Sequence, residues 1–253
     1  IPGGPSAKAG ILAGDRIIKV ESKLIAGVKS SNNDVMKLLK GERGTKVNVS
    51  ILRRGVKELL RFELVRDVIP TYSVDISFLP EPATGYIKLS KFSATTSEEL
   101  SQALITLKSK GMKSLILDLR GNSGGYLQAA IDVADEFLSD GKLIVYTEGL
   151  NRPRQIANAT GKGLFEKGKL IVLIDEGSAS SSEIVAGALQ DNDRATLVGR
   201  RSFGKGLVQE QLSLPDGSAI RLTVARYYTP TGRSIQKPYT KGHSEEYQEE
   251  LYA

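Results

Sequence analysis

The chain has 253 residues, of which 40% are hydrophobic and 25% charged, with a net charge of +6, no cysteine and a single histidine, His243. That composition excludes thiol chemistry outright, and it leaves no credible histidine for a Ser-His-Asp hydrolase because His243 lies in a polar C-terminal tail. No run approaches the ~20 apolar residues of a bilayer span. Lys and Arg are interleaved with acids from Lys8 to Lys241, without zinc spacing or an aromatic-basic pattern, which describes a solvated surface and no nucleic-acid partner. Absence of cysteine suits cytosol and periplasm alike. The opening Ile1-Pro2-Gly3-Gly4 is loop-like and carries no signal peptide, as in a mature or trimmed form.

Residues 1–66 read as a small, mostly β module. Ala7 to Ile11 lead into Leu12-Ala13-Gly14-Asp15, expected to be a short helical turn. Arg16 to Val20 is a strand by its branched content, and a helix is expected from Asn33 to Leu39, ended by Gly41 and Gly44. Strands follow at Lys46 to Leu52 and Glu58 to Val65, and Pro70 marks a break. From Asp67 onward strands and helices alternate, in a second domain covering 67–253. Strands are expected at Gly85 to Leu89, Lys113 to Leu119, Leu143 to Tyr146, Lys169 to Ile174, Thr196 to Val198, Val208 to Leu212 and Ala219 to Tyr228. The last two form a hairpin at Pro215-Asp216-Gly217. Helices are expected at Thr96 to Lys110, where Leu100, Leu104 and Leu107 share a face, at Leu127 to Leu138 and at Ser181 to Leu189. Residues 229–253 are polar and turn-rich.

Two segments carry chemistry: Gly177-Ser178-Ala179-Ser180-Ser181-Ser182-Glu183, and Phe203-Gly204-Lys205-Gly206-Leu207-Val208-Gln209. A strand that delivers a Gly-Ser loop to a helix N-terminus presents backbone N–H groups, which suits a nucleophile whose neighbouring amide holds an oxyanion. Ser180 and Glu183 equally fit a helix-capping pair. With no cysteine or usable histidine, a serine activated by lysine is the natural nucleophilic arrangement. A lysine base must be neutral, and burial among Phe203, Leu207 and Val208, away from carboxylates, would favour that form. Gly-Lys-Gly is weak alone: Gly161-Lys162-Gly163-Leu164 repeats it in a loop, and neither copy has the hydroxyl residue of a phosphate-binding loop. Gln209 lies four residues after Lys205, so on one strand both would share a face and the amide could accept from the lysine; a half-buried strand glutamine fits as well. Gly124 and Gly125, after Asp118-Leu119-Arg120, could turn an N–H into a site or merely connect strand to helix.

Together these segments resemble the carboxyl-terminal processing peptidases, the tail-specific serine-lysine proteases of family S41. Pro5 to Ile11 with Gly14-Asp15 looks like the middle of a PDZ domain. Tyr86-Ile87 with Phe92, Asp118 to Gly125, Gly177 to Ile184 and Ser202 to Gln209 follow in the family's order. The resemblance implies an α/β fold: a mixed, crotonase-like peptidase core with a partial PDZ-like module. It places the nucleophile on Ser180, the general base on Lys205 and a supporting glutamine on Gln209. The oxyanion donors fall on the amides of Ser181 and Gly124, and a structural aspartate on Asp191. Ser181 stands where the family usually has alanine, which adds a rival hydroxyl. The PDZ segment lacks the strand and carboxylate-binding loop that precede it in relatives, so a usual peptide groove is not expected from residues 1–66 alone.

The implied activity is cofactor-free, ATP-independent endoproteolysis near the C-terminus of exported or unfolded proteins, by a Ser-Lys dyad. Implied partners are protein or peptide substrates with apolar C-termini, with a homo-oligomer or an adaptor protein as further options. Membrane association would come only through a preceding N-terminal segment. The implied location is the bacterial envelope or periplasm. The alternatives are a non-catalytic peptide- or ligand-binding scaffold on the same fold and, more weakly, an acyl-CoA enzyme on it.

Overall fold

The computed structural model describes residues 4–69 and 71–238; Pro70, His243 and the tail beyond 238 lie outside the described residues. The chain divides into two compact units, 1–71 and 72–253, a boundary five residues beyond the one expected at 66/67.

The first unit comprises α1 (Pro5–Lys8), β1 (Arg16–Val20), β2 (Lys23–Leu24), α2 (Asn32–Leu39), β3 (Lys46–Leu52) and β4 (Leu60–Val65). Its antiparallel sheet runs β2-β1-β3-β4 over a core of Val20, Val47, Val49, Ile51 and Leu64. The helical turn expected at Leu12–Asp15 lies upstream instead, because Pro5 opens α1 at a position where its missing N–H costs nothing. Leu12–Asp15 is a turn closed by the Leu12 N–H donating to Asp15 at 2.8 Å. Hydrogen bonds from Arg53 and from that N–H hold the Asp15 carboxyl down at about 2.

The second unit contains β5 (Val74–Glu81), β6 (Thr84–Leu89), α3 (Thr96–Ser109), β7 (Ser114–Asp118), α4 (Leu127–Asp135), β8 (Leu143–Gly149), β9 (Arg152–Asn158), β10 (Lys169–Ile174), α5 (Ser181–Asp191), β11 (Thr196–Gly199), β12 (Leu207–Ser213) and β13 (Ala219–Tyr228). One sheet runs β11-β10-β7-β6-β5. Its first four strands are parallel and β5 closes the edge antiparallel to β6. The second sheet, β12-β13-β8-β9, is antiparallel throughout. Helix α5 meets α4, β8 and β11, and residues 181–189 are buried all round. At one contact only glycine fits: a Cβ on Gly187 would lie 2.7 Å from Thr229 Cγ2. On α3, Leu100, Leu104 and Leu107 enter the core as their spacing requires. Sequence reading missed β5 and β9, whose patterns are broken by Pro80 and by Arg152-Pro153-Arg154.

Asp118 anchors the C-terminal end of β7. It is 1% exposed and accepts from Tyr86 Oη (2.6 Å) and bidentately from Arg120 (3.0 and 2.7 Å), with the Arg120 N–H at 2.9 Å. Burial works to raise its pKa, but these hydrogen bonds outweigh it and bring the carboxyl to about 2, against an ordinary 3.8. Because the folded value lies below the unfolded one, this stabilisation is complete above pH ~4 and is lost as pH falls towards 2. Asp118→Asn should therefore lower stability at pH 7 by about 2 kcal/mol. In denaturant titrations the gap from the parent should narrow from about pH 4 downward; a constant gap would contradict the assignment.

Candidate active site

Strand β10 ends at Ile174 and α5 begins at Ser181, and the connection is braced by carboxylates. Asp175 Oδ1 accepts from the Gly121 N–H (2.8 Å) and the Gly177 N–H (3.0 Å), joining the loop after β7 to the loop after β10. Beside it, Arg200 pairs with Glu176, whose carboxyl those hydrogen bonds draw down to about 2.

The four serines of this loop have different fates. Ser178 Oγ donates to the Leu119 carbonyl (2.8 Å), and Ser182 Oγ to the Asn122 carbonyl (2.8 Å). Ser181 Oγ donates to the Gly125 carbonyl (3.1 Å). All three are at most 1% exposed. Ser181, the rival nucleophile of the sequence, is thus occupied through its hydroxyl. Ser180 is half-buried and sits at the helix N-cap with φ 54° and ψ −111°, a sparsely populated conformation of the kind concentrated at reactive turns. The Glu183 carboxylate accepts from the Ser180 N–H at 2.8 Å and the Glu183 N–H donates to the Ser180 carbonyl at 2.9 Å, so the helix N-terminus is closed through main-chain groups of Ser180.

Glu183 is the residue whose role the sequence understated. Its side chain is buried. Oε2 accepts from the Ser180 N–H and the Lys205 N–H, each at 2.8 Å. Oε1 accepts from the Gly204 N–H (2.6 Å) and Ser202 Oγ (2.7 Å). One carboxylate thereby ties the serine turn to the lysine loop, and the Phe203 N–H adds a bond to the Ser178 carbonyl (3.0 Å). The sequence signal was present in the Ser180–Glu183 spacing, but it pointed only to a cap.

Lys205 departs from expectation, because its side chain is exposed rather than buried. The flanking glycines serve a close approach of main chains: a Cβ on Gly204 would lie 2.7 Å from Lys237 Cβ, and one on Gly206 would lie 2.3 Å from the Gln236 nitrogen. Gln209 is exposed too, and it does not partner Lys205. Its amide lies 3.5 Å from Thr223 Oγ1. The shared-face argument fails because β12 begins only at Leu207, so Lys205 precedes the strand.

Gly124 also needs correction as an amide donor. Its N–H already donates to Asn122 Oδ1 (2.9 Å), and the Leu89 carbonyl fixes that amide through Asn122 Nδ2 (2.8 Å). Its contribution is clearance: with φ +96°, a Cβ there would lie 2.8 Å from Ser180 Cβ and 2.9 Å from the Ser181 nitrogen. Phe92 bonds to the Gly124 carbonyl and to the Tyr126 N–H, so the N–H and C=O of Gly125 point the other way, the carbonyl meeting Ser181 Oγ. Among the described residues the Ser181 and Gly125 N–H groups have no acceptor. Asp191 stands at the far end of α5, roughly 16 Å along the axis from Ser180. It binds the Thr231 N–H and hydroxyl and pairs with Arg233; burial would raise its pKa, but the hydrogen bonds outweigh it. Its place is structural.

Residues 83–245 match the model of peptidase family S41, and residues 1–53 match a PDZ domain. A carboxy-terminal-processing protease of Bartonella bacilliformis is 43% identical over 238 residues, covering 92% of this chain and 54% of the relative. The carboxy-terminal processing protease CtpA of Bacillus subtilis is 38% identical, over 94% of this chain and 50% of its own length. Among solved structures, a photosystem II D1 C-terminal processing protease is 36% identical with a TM-score of 0.61, over 93% of this chain and 64% of that one. The chain thus spans about half the length of these curated relatives. On the extent of the match and the order of its segments, the chain belongs to peptidase family S41.

Proposed function

We propose that the second unit is the catalytic core of an ATP-independent serine endopeptidase working by a Ser180-Lys205 dyad. One observation carries it: of the four clustered serines, three are buried and donate their hydroxyls to backbone carbonyls, and Ser180 alone remains half-buried on a strained turn. It adjoins the free Ser181 N–H, and Glu183 joins its turn to the lysine loop.

In this mechanism Ser180 Oγ forms a bond to the scissile carbonyl carbon while its proton passes to the neutral Lys205 amine. The Ser181 and Gly125 N–H groups hold the oxyanion. Collapse breaks the C–N bond, and the departing amine takes the proton from Lys205. Water then attacks the acyl ester, gives a proton to Lys205 and releases the carboxylate, and that proton returns to Ser180. Lys205 is open to solvent at rest, and the bound chain covers it. Substrates are exported or unfolded proteins with apolar C-termini, taken up as an added strand by the complete PDZ module, in a bacterial envelope or periplasm. Exposure of Lys205 and Gln209 favours a second reading, a non-catalytic scaffold that binds chains without cutting them.

Ser180→Ala and Lys205→Ala should each lower kcat/KM on an unfolded protein on the order of a thousandfold or more. Ser181→Ala should stay within about threefold of the parent, because only its amide is used. Equal activity of the parent, Ser180→Ala and Lys205→Ala forms would refute the dyad, and chain binding without cleavage by any form would favour the scaffold. Glu183→Gln keeps the volume but loses acceptors, so kcat should fall roughly tenfold to a hundredfold through misplacement of the two loops, with KM little changed. An unaltered kcat would remove Glu183 from the account.

A further inference from the structure

We propose that Tyr126 is a specificity-determining residue of the active site: its ring is the wall against which an apolar substrate side chain packs beside the scissile bond. The inference rests on the peptidase reading and deepens it by naming what selects the bond to be cut.

The fold makes full use of the Tyr126 main chain. Its N–H donates to the Phe92 carbonyl (3.0 Å). Its carbonyl accepts from the Ala130 N–H (3.2 Å), which opens α4, and from Ser181 Oγ (3.3 Å). The last bond ties Tyr126 to the residue that follows the nucleophile. One residue upstream, Gly125 gives its carbonyl to the same hydroxyl (3.1 Å), and its N–H is one of the two groups assigned to the oxyanion. The Tyr126 Cα therefore stands about 3.8 Å from that of an oxyanion donor, on backbone held from both sides.

The Tyr126 side chain, by contrast, supports nothing in the fold. Tyr126 is the N-cap of α4, a position that favours Ser, Thr, Asp or Asn because their oxygens accept a first-turn amide. No side-chain hydrogen bond caps this helix. The ring is 62% exposed, more than any other aromatic side chain among the described residues. Among those residues it has no aromatic partner, and its hydroxyl has no hydrogen-bond partner. The next residue, Leu127, already packs against the core. Keeping a large apolar ring in water is unfavourable, and this one serves neither helix nor core. The other exposed residues of 121–126 are Gly121, Ser123 and Gly125, so Tyr126 is the single large side chain exposed on the glycine loop.

Its position and chemistry together give its role. A tyrosine offers a broad contact area with few torsions to freeze, and its faces take apolar and aromatic side chains in offset or edge-on contact. A ring rooted one residue from an oxyanion donor meets the residues that flank the attacked carbonyl. It thereby discriminates among the bonds of one chain.

The test compares bonds rather than overall rates. The probes are unstructured peptides sharing one apolar C-terminal tail, with a central segment of Gly and Ser around a single Phe, Ala or Glu. Products are mapped by mass spectrometry, and kcat/KM is measured for cleavage beside the central residue. The parent should favour Phe over Ala by about tenfold, Tyr126→Phe should keep that ratio, and Tyr126→Ala should bring it within about twofold of unity. Tyr126→Lys should reverse the order of Phe and Glu, because an ammonium in place of the ring attracts the acidic side chain. A gain on Glu cannot come from misfolding, so it covers the case in which the variants lose activity as a whole. An equal loss on all three peptides would make Tyr126 a structural residue and overturn the proposal. So would an unchanged ratio of Phe to Ala in Tyr126→Ala, or a preference for Phe retained in Tyr126→Lys. No cleavage of any peptide by the parent would sink the peptidase reading and this inference with it, whereas cleavage with unaltered ratios sinks this inference alone.

Discussion

One buried carboxylate organises the site. Glu183 offers two oxygens to four donors: the backbone amides of Ser180, Gly204 and Lys205 and the hydroxyl of Ser202. Charged acceptors make the stronger hydrogen bonds, and a buried amide left without one costs about 1–3 kcal/mol. The serine turn and the lysine loop are therefore fixed to each other through a third residue that touches neither functional atom. The carboxylate's donors are three amides and a hydroxyl, and among the described residues it forms no ion pair.

Around this anchor, close approach of main chains does the remaining work. Gly124 clears the space beside Ser180 and Ser181, and Gly204 and Gly206 let the lysine loop lie on residues 235–237. The other loops are tied by Asp118 and Asp175. Behind them, the stack of Tyr146 on Tyr228, with ring centroids 5.0 Å apart and Arg154 over the Tyr146 face, holds β13 against β8. The hairpin that begins at Lys205 is thus fixed at one end to a packed sheet while its outer edge stays open.

Much of this was legible in the sequence. Branched runs gave β1, β3, β7, β10 and β13, and leucine spacing gave α3, because local periodicity and burial agree there. Strands β5 and β9 were hidden, since proline and charge on an edge strand look like a loop. At the site, residue types singled out Ser180 and Lys205 as candidates, while their partners did not emerge. Whether a glycine N–H is free depends on where Asn122 points, and whether a lysine is covered depends on packing far from it in sequence. Gln209 was misplaced for a related reason: the strand starts at Leu207, after Lys205, and nothing in the residue types announces that start.

The central claim is that Ser180 is the one reactive hydroxyl in its cluster. Its most direct test is to treat the protein with a fluorophosphonate and map the adduct by mass spectrometry of the digested chain. The account predicts a single adduct, on Ser180, that disappears in Lys205→Ala. An adduct on Ser178, Ser181 or Ser182, or proteolysis that continues after Ser180 is fully modified, would contradict it.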